Sequence, residues 1–382
     1  MALKLDVEEL VNLRHRLHAN AEVSNQEEKT AKIIVEFLKE FNPDKIWENI
    51  GGYGVIALFK GKEDGQNIGF RADLDALHIE ETIHLEYESK TPHVSHKCGH
   101  DGHMAMVAGI APYLKKNPLN RGNVYLIFQP AEETGEGAER INKGLKELDI
   151  HLDYLFGLHN LPDFPKGAIF TKPGTFAAAS RGMVIKLFGK TSHAAEPEYG
   201  ISPVIAMAKI TTEMTQIHRT VNFSDLTLAT VIHSELGEIA FGTSPGYGEV
   251  RITLRSMKDE DMSVLIDEAE SLAHKYCEVE GLGCEISYTE VFPSTVNTEE
   301  AFEIMQKSAT SMDVKFKQLQ TPFKWSEDFG QYKLQYKTGF FGIGSGEDCA
   351  HLHDEFYDFP DEIIEPGLKM YVGLMKNFEL VE

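Results

Sequence analysis

Four side chains that can bind a metal or move a proton lie within six consecutive residues of this chain. Residues 98–103 read Cys-Gly-His-Asp-Gly-His, and the two glycines let the backbone turn tightly and approach a ligand closely. Thiolate, imidazole and carboxylate groups together suit zinc, manganese, cobalt or nickel, and they do not suit calcium. The composition of this stretch therefore predicts a metal site.

Three other places in the chain add candidate ligands and a candidate base. The full set of candidates is Cys98, His100, Asp101, His103, Glu132, Glu133, His159 and His353. Because Glu132 and Glu133 are adjacent, their side chains must diverge, so one can bind a metal while the other acts on a water as general base. An exposed acidic turn is the alternative for this pair, and a lone histidine is more often a hydrogen-bonded structural residue.

Strand and helix patterns alternate along most of the chain. Apolar runs typical of buried strands occur at 55–59, 68–70, 124–128, 154–158 and 340–344. Helical spacing of apolar residues occurs at 6–20, 25–41, 104–114, 138–148, 298–315 and 363–380. Asp6 is expected to cap the first of these helices, and Ser24 or Asn25 the second. The alternation predicts an α/β fold with a mainly parallel sheet, and the candidate residues fall near strand ends, where such sheets bind ligands.

The pattern changes at about residue 181. Strands are predicted at 183–188, 226–233, 249–254 and 284–291, and helices at 202–219 and 257–277. The resulting order, β-α-β-β-α-β, is typical of a ferredoxin-like α+β domain. We therefore expect a lid or dimerisation domain at 181–290, inserted into a discontinuous catalytic domain formed by 1–180 and 291–382. His193 follows the first strand of the insertion, where small neighbours leave its ring approachable; an ordinary surface histidine is the alternative.

Charge and composition exclude several classes of protein. The net charge of -23 argues against nucleic acid or an anionic membrane as a partner, because both require a basic surface. No apolar run is long enough for a membrane span, and the N-terminus lacks the features of a signal peptide. The four cysteines are too few for a disulfide scaffold in so long a chain. A cytoplasmic location is therefore expected.

Seven motifs carry a resemblance to a known family. Residues 98–103 (CGHDGH) and 129–133 (QPAEE) match its motifs without change. Five further motifs match with small or no differences: 14–22 (RHRLHANAE for RRxLHxxPE), 71–78 (RADLDALH for RADMDALP), 192–197 (SHAAEP for GHxAxP), 326–329 (SEDF for xEDF) and 352–359 (LHDEFYDF for LHxPxYDF). Over nearly its whole length the chain resembles the M20 metallopeptidase family, within it the amidohydrolase branch of N-acyl-amino-acid, hippurate and auxin-conjugate hydrolases.

The resemblance implies a site with two divalent metal ions in each subunit. By resemblance the ligands are Cys98, His100, Glu133, His159 and His353. Glu132 is implied as the general base, which takes a proton from a water activated by the metals and passes it to the leaving amine. Asp101 is expected to brace the loop or a ligand from outside the metal's own ligands, and His103 to pack at the start of the helix.

The resemblance also implies a homodimer through the lid domain. His193 would reach the active site of the partner subunit and donate a hydrogen bond to the developing oxyanion, as the lid closes over the substrate. Arg255 stands where the family has an arginine and is expected to contact the substrate. The Asn-Val-Ile-Pro that usually precedes the third lid strand is replaced by residues 242–245 (Gly-Thr-Ser-Pro), so the family's substrate-binding asparagine is missing.

The expected function is metal-dependent hydrolysis of the amide bond of an N-acyl amino acid or a similar small conjugate. A dipeptidase or aminopeptidase of the same family is the first alternative, although Cys98 speaks against it because the peptidase branches usually have aspartate there. A binding protein that has lost catalysis is the second alternative. The intact pair Glu132–Glu133 and the complete set of implied ligands speak against that reading.

Overall fold

The computed structural model describes residues 7–382, so the predicted capping residue Asp6 lies outside the described residues. Its α-helices are α1 (Val7–His18), α2 (Glu28–Lys39), α3 (His100–Ala108), α4 (Ile110–Lys116), α5 (Gly137–Glu147), α6 (Val204–Thr215), α7 (Ile217–Thr220), α8 (Asp259–Val279), α9 (Glu299–Ser311) and α10 (Ile364–Asn377). Its strands are β1 (Lys45–Ile50), β2 (Gly54–Lys60), β3 (Glu63–Asp73), β4 (Arg121–Gln129), β5 (Tyr154–Pro162), β6 (Ile169–Thr171), β7 (Gly174–Ala177), β8 (Ala179–Phe188), β9 (Ser192–His193), β10 (Thr227–Leu236), β11 (Thr243–Ser244), β12 (Tyr247–Ser256), β13 (Gly283–Phe292), β14 (Thr295–Asn297), β15 (Phe316–Gln318) and β16 (Lys337–Gly346).

The largest sheet has eight strands in the order β1-β2-β4-β3-β5-β16-β6-β15. Its central strands β4, β3, β5 and β16 run parallel to one another, whereas β1 and β2 add antiparallel pairings at one edge. Strands β4, β5 and β16 are buried over most of their length, and β3 over its second half, as is typical of parallel strands that helices cover. The predicted α/β fold with a mainly parallel sheet is confirmed.

The chain divides into two compact units. The first consists of Met1–Phe176, Thr295–Thr321 and Asp328–Glu382, and the second of Ala177–Ser294 and Pro322–Glu327. The second unit thus begins and ends within four residues of the inserted domain predicted at 181–290. It also takes in the short segment Pro322–Glu327, which the sequence analysis assigned to the catalytic domain.

Helix α3 is the centre of the first unit's core. All nine of its residues are buried, because α1, α2, α10 and β3 pack around it. Gly102 allows a further close contact, with the segment that precedes α10: a Cβ built on Gly102 would lie 2.3 Å from the ring of Phe359. The close packing fixes the first turn of α3, which carries His100.

The second unit has a four-stranded antiparallel sheet in the order β10-β12-β8-β13. Helices α6 and α8 cover one face, which contributes Val250, Ile252 and Leu254 to a separate core. The alternate residues of β12, among them Arg251 and Arg255, lie on the opposite face. This is the predicted β-α-β-β-α-β order, with the first helix divided into α6 and α7. No helix within residues 7–382 is both long enough and apolar enough to cross a membrane.

Two local predictions were wrong. Neither Ser24 nor Asn25 caps α2; Glu22 accepts the backbone N–H groups of Lys29 (2.7 Å) and Thr30 (2.9 Å) in their place. The hydroxyl of Ser24 donates instead to a buried carboxylate of the loop after β3. Strand β5 was also predicted to end before His159, but it continues to Pro162 because its far end still pairs with β16.

Candidate metal centre

The predicted metal ligands come together in the first unit. Cys98 precedes α3, and Gly99 (φ +90°) turns the chain so that His100 begins the helix. His159 lies in β5, opposite Gly342 of β16. The glutamate pair follows β4, and His353 lies in the loop after β16.

Their donor atoms form overlapping groups, in each of which the atoms lie within 4.8 Å of one another. The three groups are Cys98, His100 and His159; Cys98, Glu133 and His353; and His100, Glu132 and Glu133. Cys98 is shared by the first two groups, and Glu133 by the last two. The arrangement therefore offers two neighbouring sets of donors, with a thiol common to both.

His100 presents one nitrogen to this cluster. Its Nδ1–H donates to the backbone carbonyl of Asp75 (2.9 Å), so the lone pair of the neutral ring lies on Nε2. That Nε2 is buried, makes no hydrogen bond, and lies 3.8 Å from Glu132 and 3.9 Å from Glu133. An imidazole nitrogen held beside two carboxylates in this way fits a divalent transition metal.

The surrounding charge favours a cation at this place. Burial alone would lower the pKa of His100, but the hydrogen bond to Asp75 and the charges of Asp73 and Glu133 outweigh it and raise the pKa to about 10. A site that binds a proton so firmly has a strongly negative potential. A divalent ion benefits from the same potential when it replaces that proton.

His159 and Cys98 form the second side of the cluster. The Nδ1–H of His159 donates to the carbonyl of Asn160 (2.9 Å), which turns Nε2 toward the sulfur of Cys98 at 3.4 Å. Both side chains are 6% exposed. A backbone acceptor thus sets the tautomer of His159, as it does for His100, and directs Nε2 toward the other donors.

The glutamate pair is held by its backbone. Ala131, which precedes it, has a left-handed conformation (φ +54°), and the N–H of Glu133 donates to Oδ2 of Asp75 (3.0 Å). Oε1 of Glu133 also lies 3.8 Å from Nε2 of His353. Glu133 therefore faces donors on two sides, whereas Glu132 joins only the group that includes His100.

His353 is the most exposed of the predicted ligands, with 52% of its side chain accessible. Its left-handed backbone (φ +66°) is fixed by an N–H bond to the carbonyl of Lys97 (2.9 Å), and the Lys97 ammonium donates to the carbonyl of Tyr357 (2.8 Å). The loop after β16 is thus attached at two points to the residue that precedes Cys98.

Asp101 and His103 occupy supporting positions. Asp101 is fully buried and accepts hydrogen bonds from Arg14 (3.3 Å) and His18 (2.8 Å), while His18 also pairs with Glu81 (2.9 Å). Asp101 therefore joins α3 to α1, and neither of the two donors is a predicted metal ligand. Nε2 of His103 contacts the side-chain oxygen of Asn160 at 2.5 Å, and its donor atoms also form a group with those of Asp73 and His100.

A buried polar network lies at the base of the site and was missed by the sequence analysis. The Arg71 guanidinium donates to Asp73 (2.7 Å), Gln129 (2.9 Å) and Asp328 (2.5 Å). Asp328 also accepts from the side chain of Gln129 and from the backbone of Ala138. Arg71 and Gln129 belong to recognised motifs, but residue type alone does not show that they meet Asp328, 199 positions after Gln129.

Asp75 contacts two of the predicted ligands, which its residue type did not indicate. Its backbone carbonyl orients His100, and its carboxylate accepts from Glu133 (3.0 Å) and Ser24 (2.7 Å). Its place in the motif at 71–78 was visible, but the motif indicates no partner.

His193 and Arg255 lie in the second unit. His193 is exposed on the short pair of strands β9 and β11, and its Nδ1 accepts the backbone N–H of Ala195 (3.1 Å). Arg255 donates to the carbonyl of Lys324 and to the hydroxyl of Ser326 (2.9 Å), and burial lowers its pKa. Arg255 also lines a cavity of about 340 Å³ on the open face of the sheet.

Comparison with known proteins gives consistent matches over the whole chain. The sequence pattern of Peptidase family M20/M25/M40 matches residues 69–377. The hippurate hydrolase of Campylobacter jejuni is 30% identical over 376 residues, 97% of this chain and 96% of that protein. Thermostable carboxypeptidase 2 of Saccharolobus solfataricus is 31% identical over 399 residues, 98% of each chain. The solved structure of the Bacillus subtilis YXEP protein, described as a dinuclear metal binding peptidase, has a TM-score of 0.81 at 27% identity and covers 96% of this chain and 97% of that chain.

Proposed function

Because the chain belongs to Peptidase family M20/M25/M40 and is therefore a hydrolase, we propose that it cleaves the amide bond of N-acyl amino acids or similar small conjugates with two bound divalent metal ions. The observation that carries the proposal is the pair of donor groups that share Cys98. One adds His100 and His159, the other adds Glu133 and His353, and Glu132 lies beside them. The dinuclear description of the YXEP structure and the name of the Campylobacter relative agree with it.

We assign the metal ligands as Cys98, His100, Glu133, His159 and His353. The mixture of sulfur, nitrogen and oxygen donors fits manganese, zinc, cobalt or nickel. When bound, the ions polarise the amide carbonyl and lower the pKa of a water. Glu133 is the ligand of its pair because it faces donors on two sides.

Glu132 is the general base in this proposal. Its carboxylate is 6% exposed and lies at the edge of the cluster, 3.8 Å from His100. It takes the proton from the attacking water and passes it to the nitrogen of the leaving amine. The backbone bonds that hold Ala131 and Glu133 on either side keep it in place for both transfers.

The tautomer of His193 suits an oxyanion donor. Because its Nδ1 accepts the N–H of Ala195, a neutral ring carries its proton on Nε2. An exposed N–H on a short strand pair can stabilise the negative charge that develops on the carbonyl oxygen. We propose that His193 makes this contact in the active site of a partner subunit.

The dimer would form through the second unit. Strand β10 is an edge strand of ten residues, and Ile232 on it is 62% exposed. The loop that follows carries Ile239 and Phe241, which are fully exposed. A long edge strand with exposed apolar side chains is a surface that proteins usually cover. Arg255, which lines the cavity on the open face, is proposed to hold the substrate.

The test of the activity is metal-dependent turnover on a panel of substrates. Protein stripped with a chelator should be inactive, and manganese, zinc, cobalt or nickel, added singly, should restore hydrolysis of N-acetyl or N-benzoyl amino acids. The similarity to carboxypeptidase 2 keeps peptide hydrolysis as a second candidate, so the panel includes dipeptides. Faster cleavage of dipeptides than of every N-acyl amino acid would refute the proposed substrate class.

Subunit complementation tests the role of His193. Glu132→Gln and His193→Ala are each expected to be inactive as homodimers. When the two are mixed, the Glu132→Gln subunit supplies an intact His193 to the intact metal centre of its partner, so about a quarter of the wild-type activity should return. An unchanged, inactive mixture that forms mixed dimers would show that His193 does not act across subunits.

A further inference from the structure

Glu27 is a fully buried carboxylate at the start of α2 that contributes nothing to capping that helix. Its Oε1 accepts two backbone N–H groups, from Asn25 (2.9 Å) and from Ala131 (2.9 Å). Glu22 makes the bonds that an N-cap would make, to Lys29 and Thr30. Burying a carboxylate costs free energy, so a carboxylate that is not needed for its own helix invites another explanation.

The second partner, Ala131, has an unusual backbone. Its φ of +54° lies in the left-handed region, which residues with a Cβ avoid. Its N–H is buried and has Glu27 as its acceptor, while its carbonyl accepts from Gly137 (3.1 Å). Since Ala131 directly precedes Glu132, its φ and ψ angles set the direction in which Glu132 and Glu133 leave β4.

We propose that Glu27 is a positioning residue that fixes Ala131 in the left-handed conformation and thereby directs Glu132 and Glu133 toward His100. Together with Asp75, which accepts the N–H of Glu133, it holds the dipeptide from both sides with buried carboxylates. Its catalytic consequence rests on the proposed function, whereas its effect on the backbone does not.

The proposed role of Glu27 requires an acceptor oxygen in its side chain, so two substitutions test it. Glu27→Gln keeps an oxygen that can accept both N–H groups, and Glu27→Ala removes it. Glu22→Ala is the matched control, because it removes the bonds to Lys29 and Thr30 at the same end of α2 and does not touch Ala131.

Amide hydrogen exchange of the metal-free proteins measures directly how firmly the backbone around Ala131 is held. In Glu27→Ala the peptide that covers 129–137 should exchange at least about tenfold faster than in wild type, and in Glu27→Gln and Glu22→Ala it should not. Unchanged exchange of this peptide in Glu27→Ala would overturn the proposal.

Metal binding and turnover supply the functional readout. Cobalt titration should show about 10- to 100-fold weaker binding for Glu27→Ala, and at saturating metal its kcat should fall while KM changes little. Glu27→Gln should restore both properties, and Glu22→Ala should lower the Tm without lowering kcat. Equal losses of kcat in Glu22→Ala and Glu27→Ala, or no rescue by glutamine, would refute the role of the acceptor. If wild type hydrolyses no N-acyl amino acid, cobalt binding and exchange still decide the role of Glu27.

Discussion

Replacing Asp75 with asparagine should weaken metal binding while leaving the protein folded. The Asp75 carboxylate is fully buried, and its Oδ2 accepts from Ser24 and from the N–H of Glu133. Its Oδ1 lies 3.6 Å from Nδ1 of His100, which already donates to the Asp75 carbonyl. Asparagine has nearly the same shape, but one of its two atoms must be an NH2 group.

Either orientation of this amide places a donor against a donor. If the NH2 replaces Oδ2, it faces the N–H of Glu133; if it replaces Oδ1, it faces the N–H of His100. Only the first orientation removes a hydrogen bond, that from the N–H of Glu133; the second keeps both bonds to Oδ2, because Oδ1 makes no hydrogen bond, but it removes the negative charge beside His100. Loss of the bond from Glu133, which has a charged acceptor, costs about 1.5–3 kcal/mol. If this free energy is lost only in the metal-bound state, the affinity for metal falls about 10- to 100-fold. That is the range typical of residues that support metal ligands.

A competition titration of the metal-free protein against a fluorescent chelator measures this change. Ser24→Ala is the control, because it removes the donor at 2.7 Å but leaves the carboxylate and its bond to Glu133. We expect Ser24→Ala to bind metal with almost wild-type affinity. An affinity of Asp75→Asn within about twofold of wild type would show that the carboxylate does not support the site, and so would an equal loss in both variants.

Three further predictions concern the base, the network around α1 and the first turn of α3. Glu132→Gln should bind metal normally yet lose about 10²- to 10⁴-fold in kcat; a nearly native kcat in steady-state assays would make the assignment of the base wrong. Burial lowers the pKa of His18, but its hydrogen bonds to two carboxylates outweigh this and raise the pKa from 6.5 to about 9. The charged form is therefore favoured by folding, and on the order of 3 kcal/mol of stability, present below pH 6.5, should be lost between pH 6.5 and 9; urea unfolding of metal-free wild type and His18→Gln should show a clearly flatter pH profile for the variant. Gly102→Ala places a Cβ 2.3 Å from the Phe359 ring and should cost about 1–3 kcal/mol or more; an unchanged Tm would contradict the close packing.

Residue types and their positions near strand ends were enough to predict the fold class and to select residues whose donor atoms the structure brings together. Cys98, His100 and Glu133 were among the candidates because thiol, imidazole and carboxylate groups bind transition metals, and the resemblance to the M20 family then distinguished them as ligands. The alternation of strands and helices predicted the parallel sheet, because buried parallel strands are apolar without interruption. These signals are local, so a single sequence displays them.

The supporting residues could not be predicted because their partners are distant and many are backbone groups. Glu27 meets Ala131 across 104 positions, and Asp75 meets Glu133 across 58. A backbone N–H leaves no trace in residue type, and Glu27 falls in the first turn of the helix predicted at 25–41, where acidic residues are common. The error at Ser24 has the same origin: its hydroxyl could accept from the backbone as an N-cap, but in the structure it donates to the carboxylate of Asp75, 51 positions away.

The separation between chemistry and specificity follows from the division of the chain into two units. The donor groups and Glu132 lie in the first unit, and in the proposed function they would act on any amide whose carbonyl reaches them. Arg255 and the cavity it lines lie in the second unit, as does Gly242, which stands where the resembled family usually has asparagine. Glycine offers no side chain to hold a substrate, so we propose that discrimination among acyl groups falls to other side chains of the second unit, among them those that line this cavity. Substitutions there should therefore alter the preference among substrates while metal affinity and the kcat for the best substrate persist.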